Sequence, residues 1–471
     1  MDAIEEILRR QREFFRAGHT LNVNGRRAAL QILANTIKDM EGEIISALQE
    51  DLGKSGTESY MCEIGLALSE ISYVRKHLKR WARTRRRLSP LSQFPSVSHI
   101  IPEPYGNVLI MAPWNYPFLL SISPLISALA AGNTAIIKPS TQAKATQAVV
   151  KKVIEETFTD DYVAVLGGSR DEYPDLLDHK FDYIFFTGSK AYGRTVMEKA
   201  ARHLTPVTLE LGGKSPVIVD SQCDIATAAR RVVFGKFLNL GQTCVAPDHV
   251  FVQEKVADAF QDACITEIVA MFGSNALKDP DYGKILSERH FLRVCRLIDA
   301  SRDKVVFGGD KSDGTLQICP TILRIGSLDD RTDDGGYAVD SLAIMQEEIF
   351  GPLMPLITYS DITDVVDYID AHPRPLAAYI FTSDKRLKKS LLRHLHFGGG
   401  CINDTIVHLA TDTLPFGGVG QSGMGQYHGK WGFETFSHLK SVVDKATWLD
   451  LDMRYQPYTP KKNKLIKTFL K

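Results

Sequence analysis

Four apolar runs decide the fold: Asn107-Val-Leu-Ile-Met-Ala-Pro113, Thr134-Ala-Ile-Ile-Lys-Pro-Ser140, Tyr162-Val-Ala-Val-Leu-Gly-Gly168 and Tyr183-Ile-Phe-Phe-Thr-Gly-Ser189. Each is too short for a helix and stops at Gly, Pro or Ser, as buried strands do. Helix-period stretches follow them over 118–132, 141–157, 171–178 and 190–203. Strand and helix in alternation make βαβ units, hence an α/β fold with a parallel sheet covered on both faces. The grammar restarts with Ser215-Pro-Val-Ile-Val219, a helix over 224–239, His249-Val-Phe-Val252 and a helix over 255–271, then continues in strands starting at Leu353, Ala377 and Gly398. Two doubly wound parallel-sheet domains in succession are expected. Upstream, residues 1–88 carry helical spacing (Ile4, Ile7, Leu8, then Ile64, Leu68, Ile71, Val74), and a proline-rich stretch over 88–106 permits only edge strands or turns.

The 471 residues exceed what one core usually supports, and 44% hydrophobic with 24% charged residues is ordinary globular composition. Fifty-six basic residues balance 56 acidic ones, which leaves no global field for nucleic acid. Seven cysteines, an odd number without a C-x-x-C, fit neither a disulfide framework nor a zinc knuckle; reduced thiols in a cytoplasmic protein are the simpler expectation. The acidic amphipathic start has no secretory apolar run, and no segment nears the ~18 apolar residues of a membrane span.

The literal G-x-G-x-x-G at Gly418, Gly420 and Gly423 follows Asp412-Thr-Leu-Pro-Phe416 and not a strand, so it is set aside. Tyr183 to Gly193 is the better phosphate turn, because a strand ends at Gly188 and a helix follows; on spacing alone an ordinary strand-to-helix turn is an equal reading. Cys244 stands apart from the other cysteines in Asn239-Leu-Gly-Gln-Thr-Cys-Val-Ala-Pro-Asp248, a break after a helix where reactive side chains tend to sit. His394, His396, Cys401 and His408 match no firm metal spacing, and the basic run over 76–87 reads as a solvated helix face. No metal is expected.

Seven blocks in order carry a resemblance: Pro113-Trp114-Asn115-Tyr116-Pro117, Lys138-Pro139-Ser140, Phe186-Thr187-Gly188 through Gly193, Leu209-Glu210-Leu211-Gly212-Gly213-Lys214, Gly241-Gln242-Thr243-Cys244, Glu347 through Pro352, and Pro415-Phe416-Gly417-Gly418. Along nearly its whole length the chain resembles the aldehyde dehydrogenase superfamily, most closely its class 3-like branch. The resemblance implies a dinucleotide-binding domain (1–88 and 105–208), a catalytic domain (209–430), a bridging and oligomerisation element (89–104 and 431–450) and a tail (451–471). It implies NAD or NADP, a small-molecule aldehyde and a homodimer, with 436–443 as part of the contact.

The resemblance also assigns roles. Cys244 becomes the nucleophile, whose thiolate converts the aldehyde into a tetrahedral adduct able to release hydride. Asn115 becomes the oxyanion donor beside the Cys244 N–H. Glu210 becomes the base that opens the thioester, with Glu348 as competitor and cofactor contact. Trp114, Lys138, Gly188, Ser189, Gly193 and Phe350 fall to the cofactor, while Tyr116, Phe416 and Phe237 fall to a tunnel suited to medium or long aliphatic and aromatic aldehydes. Thr141 stands where many NAD-preferring relatives carry a glutamate that repels a 2′-phosphate, so NADP is expected to be tolerated. A coenzyme A-acylating relative is disfavoured by Glu210, and a cofactor-free cysteine hydrolase would need a histidine base such as His249. A structural protein without turnover would leave Cys244 inert. The tail, with Lys461, Lys462, Lys464, Lys467 and Lys471 around Leu465, Ile466, Phe469 and Leu470, offers weak contact with anionic membrane, against the plainer expectation of a disordered end.

Overall fold

A computed structural model describes residues 3–168, 173 and 175–470. Two large sheets carry the fold. The first runs in the order Gly423–Met424, Val207–Leu211, Tyr183–Gly188, Asn107–Met111, Thr134–Lys138, Val163–Val165, parallel except for its first strand. Side chains alternate between its faces: Val108, Ile110, Ala135 and Ile137 pack with helices Val23–Asp39, Gly65–Trp81, Leu119–Ala131 and Lys144–Thr157, whereas Leu109, Met111 and Ile136 pack with Ala3–Arg16 and Lys190–Ala201. The second sheet, Val305–Phe307, Thr321–Ser327, Leu353–Tyr359, His249–Gln253, Pro216–Val219, Ala377–Phe381, Gly399–Ile402, is parallel apart from its first strand and is likewise clothed on both faces.

The strands stand where the apolar runs put them, and helices Leu119–Ala131, Lys144–Thr157, Lys190–Ala201, Ile225–Phe237 and Ala257–Phe272 occupy the expected stretches. Four expectations change. The stretch 171–178 holds only the single turn Leu176–Asp178, residues 171, 172 and 174 lying outside the described residues. The helical region expected to reach residue 88 stops at Trp81 and gives way to strand Arg85–Arg87, which with Ser96–Pro104 and Ser437–Lys445 forms a separate antiparallel sheet. The boundary expected at 208/209 falls inside a strand: Leu209 to Leu211 belong to the first sheet, joined there by Gly423–Met424. The tail carries helix Pro460–Phe469, started by the Thr459 hydroxyl accepting from Lys462 N, in place of a disordered end.

Candidate active site

The first sheet reverses its strand order between Asn107–Met111 and Tyr183–Gly188. Crevices at the carboxyl ends of such neighbours are where open α/β sheets take ligands. The chain leaving Met111 carries Trp114 and Asn115, and the chain leaving Gly188 enters helix Lys190–Ala201, with the Ser189 hydroxyl accepting from Tyr192 N. Gly188 and Gly193 are required by crowding: a Cβ would meet the Phe186 ring at 2.5 Å and Leu211 Cδ2 at 2.7 Å respectively. Thr187 Oγ1 is buried with no hydrogen-bond partner among the described residues. Across the same end, Lys138 Nζ donates to Gly168 O at 3.1 Å. Backbone N–H groups at a helix start, an orphaned hydroxyl and a nearby ammonium fit a pyrophosphate with its ribose.

Trp114 lies between His290, with centroids 4.7 Å apart, and Phe350, edge-on at 5.3 Å. Phe350 holds φ +45°, a left-handed conformation for a bulky residue. The segment carrying it is clamped from beneath: Lys214 Nζ contacts Asp248 Oδ1 at 2.5 Å and donates to the carbonyls of Ile344 and Glu347, Asp248 Oδ2 accepts from Ile349 N at 2.9 Å, and Arg293 binds Glu347 and the Glu348 carbonyl. This holds Glu348 against Gly212, where any Cβ would overlap its carboxylate. Burial, then the negative Asp248, push the Glu348 carboxyl up to about 8.

On the other side of the Asn115 loop lies a cavity of about 260 Å3, lined by Tyr116, Thr243, Cys244, Phe416, Tyr427 and Phe234 among others, with exposed Met61 and Val407 at its rim. Cys244 is half-buried in a turn closed by Ala246 N donating to Thr243 O. Burial pushes its thiol up to about 12, the carboxyls of Glu348 and Glu210 push the same way, and the N–H groups of Cys244 and Val245 oppose them. Tyr116 is fixed by a 2.7 Å bond between its hydroxyl and Thr243 Oγ1. Phe237 is corrected: it is 1% exposed and packs edge-on against Phe272, while its neighbours Phe234 and Leu238 reach the cavity.

Glu210, near the end of Val207–Leu211, is 3% exposed and neither carboxylate oxygen has a partner among the described residues. Desolvation alone pushes it well above the usual carboxylate range. Asn115 spends one amide N–H on Gln242 O at 3.0 Å and has a second to present. A thiol, a spare amide N–H and two poorly solvated carboxyls thus converge beside the crevice at the end of the first sheet, which suits acyl transfer with proton removal. His249, by contrast, rests its Nδ1 on Asp248 Oδ1 at 3.3 Å and its ring on Phe251.

Sequence reasoning misses the scaffold: Lys54, Glu58 and Glu63 sit in unremarkable local sequence and matter only through distant partners. Lys214, Asn239 and Asp248 lie in the motifs around Glu210 and Cys244, which assign them no role.

The sequence model of the aldehyde dehydrogenase family matches residues 1–442. The chain is 45% identical to 4,4'-diaponeurosporen-aldehyde dehydrogenase of Staphylococcus aureus over 100% of both chains. It is 42% identical to aldehyde dehydrogenase family 3 member H1 of Arabidopsis thaliana, over 98% of this chain and 93% of that one. Among solved structures, a substrate-bound Staphylococcus aureus AldH superposes with TM-score 0.94 at 44% identity over 100% of both chains. An NADP-dependent enzyme of E. coli gives 0.83 at 26% identity, covering 93% of this chain and 89% of that one. Matched end to end in sequence, and in the crevice, cavity and thiol that its own residues build, the chain belongs to the aldehyde dehydrogenase family, the enzymes that oxidise aldehydes to acids.

Proposed function

We propose that the protein oxidises apolar aldehydes, medium or long aliphatic or aromatic, with NAD or NADP as oxidant. The observation that carries this reading is Cys244 at the meeting of an apolar cavity with a crevice built for a dinucleotide. The Cys244 sulfur adds to the carbonyl, and the new oxyanion takes hydrogen bonds from the Asn115 amide and the Cys244 N–H. Bound nicotinamide supplies the acceptor for the hydride that leaves this adduct. Glu210 then takes a proton from water as the water opens the thioester, and Glu348 orients the cofactor's nicotinamide half, where Trp114 and Phe350 pack. Lys138, Gly188, Ser189 and Gly193 hold its other half.

An absorbance assay at the reduced-nicotinamide band across an aldehyde panel tests this. With Thr141 leaving no carboxylate to repel a 2′-phosphate, NAD and NADP are expected within about tenfold of each other in kcat/KM, since a missing charge clash removes on the order of 1–2 kcal/mol of discrimination. A hundredfold preference for NAD would exclude it.

A cytoplasmic homodimer is part of the proposal. Strand Ser437–Lys445 pairs on one edge with Ser96–Pro104, and its other edge has no strand beside it among the described residues, with Leu439, Val442 and Val443 exposed. Sedimentation equilibrium is expected to give twice the 52.4 kDa chain mass, and Val443→Asp to lower it towards one. Helix Pro460–Phe469 exposes Leu465 and Phe469 among lysines, which supports weak contact with anionic lipid. Full-length protein is expected to co-sediment with phosphatidylserine vesicles more than a chain ending before Pro460; equal binding removes the tail from the account.

A further inference from the structure

The first eighty residues, which bring Met61 to the rim of the cavity, also supply the site with a wholly buried ion pair. Lys54 is 1% exposed and Glu63 is not exposed at all, with Nζ and Oε1 2.5 Å apart. Both ends of the pair are occupied. Lys54 Nζ also donates to Asn115 O at 3.1 Å and lies 4.0 Å above the Tyr116 ring. Glu63, in the π-turn Tyr60–Ile64, accepts through Oε2 from Phe118 N at 2.9 Å and Leu119 N at 3.1 Å, where helix Leu119–Ala131 begins. The Asn115 carbonyl accepts a second bond from Asn239 Nδ2 at 2.9 Å, and Asn239 N in turn donates to Glu58 Oε1 at 3.0 Å.

Buried ion pairs add little net stability, because desolvation offsets most of the attraction and apolar residues of similar volume do as well. What this pair provides is direction. A charged donor bonds a carbonyl about twice as strongly as a neutral one, and Asn115 O is the nearest backbone anchor for its own side chain. We infer that Lys54, held by Glu63, is a positioning residue that fixes the Asn115 backbone so that the amide faces the oxyanion formed at Cys244. The inference rests on the oxyanion role proposed for Asn115.

Two reactions of the full-length protein without cofactor separate positioning from mere structure. Acylation of Cys244 by 4-nitrophenyl acetate forms an S–C bond at the carbonyl, passes through an oxyanion and expels 4-nitrophenolate. Alkylation by iodoacetamide forms an S–C bond at a saturated carbon, expels iodide and builds no oxyanion. Lys54→Met is expected to slow acylation about 10- to 100-fold, less than loss of the donor itself, while alkylation stays within about twofold. Because Lys54→Met strands a buried carboxylate and can unfold the chain, Lys54→Met with Glu63→Gln is the second arm. It removes both charges, keeps acceptors for Phe118 N and Leu119 N, and is expected to melt near the wild-type temperature while acylation stays slow. Equal loss of both reactions, or wild-type acylation in the double variant, overturns the inference. Asn115→Ala distinguishes the two levels: wild-type acylation there refutes the oxyanion role itself, whereas slow acylation there with fast acylation in the Lys54 variants refutes only the positioning.

Discussion

Cys244→Ala is expected to lower aldehyde oxidation by at least about 1000-fold while leaving the melting temperature within a few degrees, since a nucleophile contributes no packing that alanine cannot approximate in a half-buried turn. Without the sulfur no thiohemiacetal forms, and the bare carbonyl carbon is a poor hydride donor. Cofactor binding, read by quenching of the Trp114 emission, is expected to survive. Retention of more than about one-tenth of the wild-type rate would exclude covalent catalysis at this residue. The thiol's resting state sharpens the expectation: with its titration pushed up to about 12, labelling by iodoacetamide in the free protein is expected to climb with pH and not level off between pH 7 and 9. A plateau in that range would mean that some group lowers the thiol's titration.

Glu210→Gln is expected to separate the two half-reactions. Adduct formation and hydride release continue, and the thioester persists, because water attacks it with no base to take its proton; general-base loss costs about 100- to 10,000-fold. Intact-protein mass spectrometry is expected to show the acyl group on Cys244 during turnover. If the acyl-enzyme instead clears at the wild-type rate, Glu348 is the base, and Glu348→Gln should then trap it. The same substitution is expected to stabilise the fold. Glu210 titrates higher in the folded than in the unfolded protein, so its contribution is fully present below the unfolded carboxyl's range near 4.5 and is lost as pH rises through the raised folded value. Glutamine escapes that loss. The variant is therefore expected to melt above wild type at pH 8, with the gap closing as pH approaches 4.5.

The sheets were legible in the sequence because buried parallel strands are near-continuous apolar runs, and those at 107–111, 134–138 and 183–188 needed no tertiary knowledge. The amide and both carboxyls were legible only through the resemblance; Cys244 stood apart from the other six cysteines by its loop, but its role as nucleophile came through the resemblance too. Lys54 and Glu63 were invisible, since a lysine after Gly53 and a glutamate in a helix read as solvated until an Asn115 carbonyl 61 residues away claims one of them. Phe237 was misread because aromatic character does not distinguish it from Phe234 three residues earlier: Phe237 is taken up by packing on Phe272, and Phe234 reaches the cavity.

The ribbon that joins Ser437–Lys445 to Ser96–Pro104 ties together pieces more than three hundred residues apart, about the longest closure this chain makes within a single sheet. During synthesis the earlier strand leaves the ribosome with its partner not yet translated, so its open edge faces solvent for tens of seconds at ordinary elongation rates. Nascent chains stalled before residue 437 carry that edge bare, and they are the species a holding chaperone would meet.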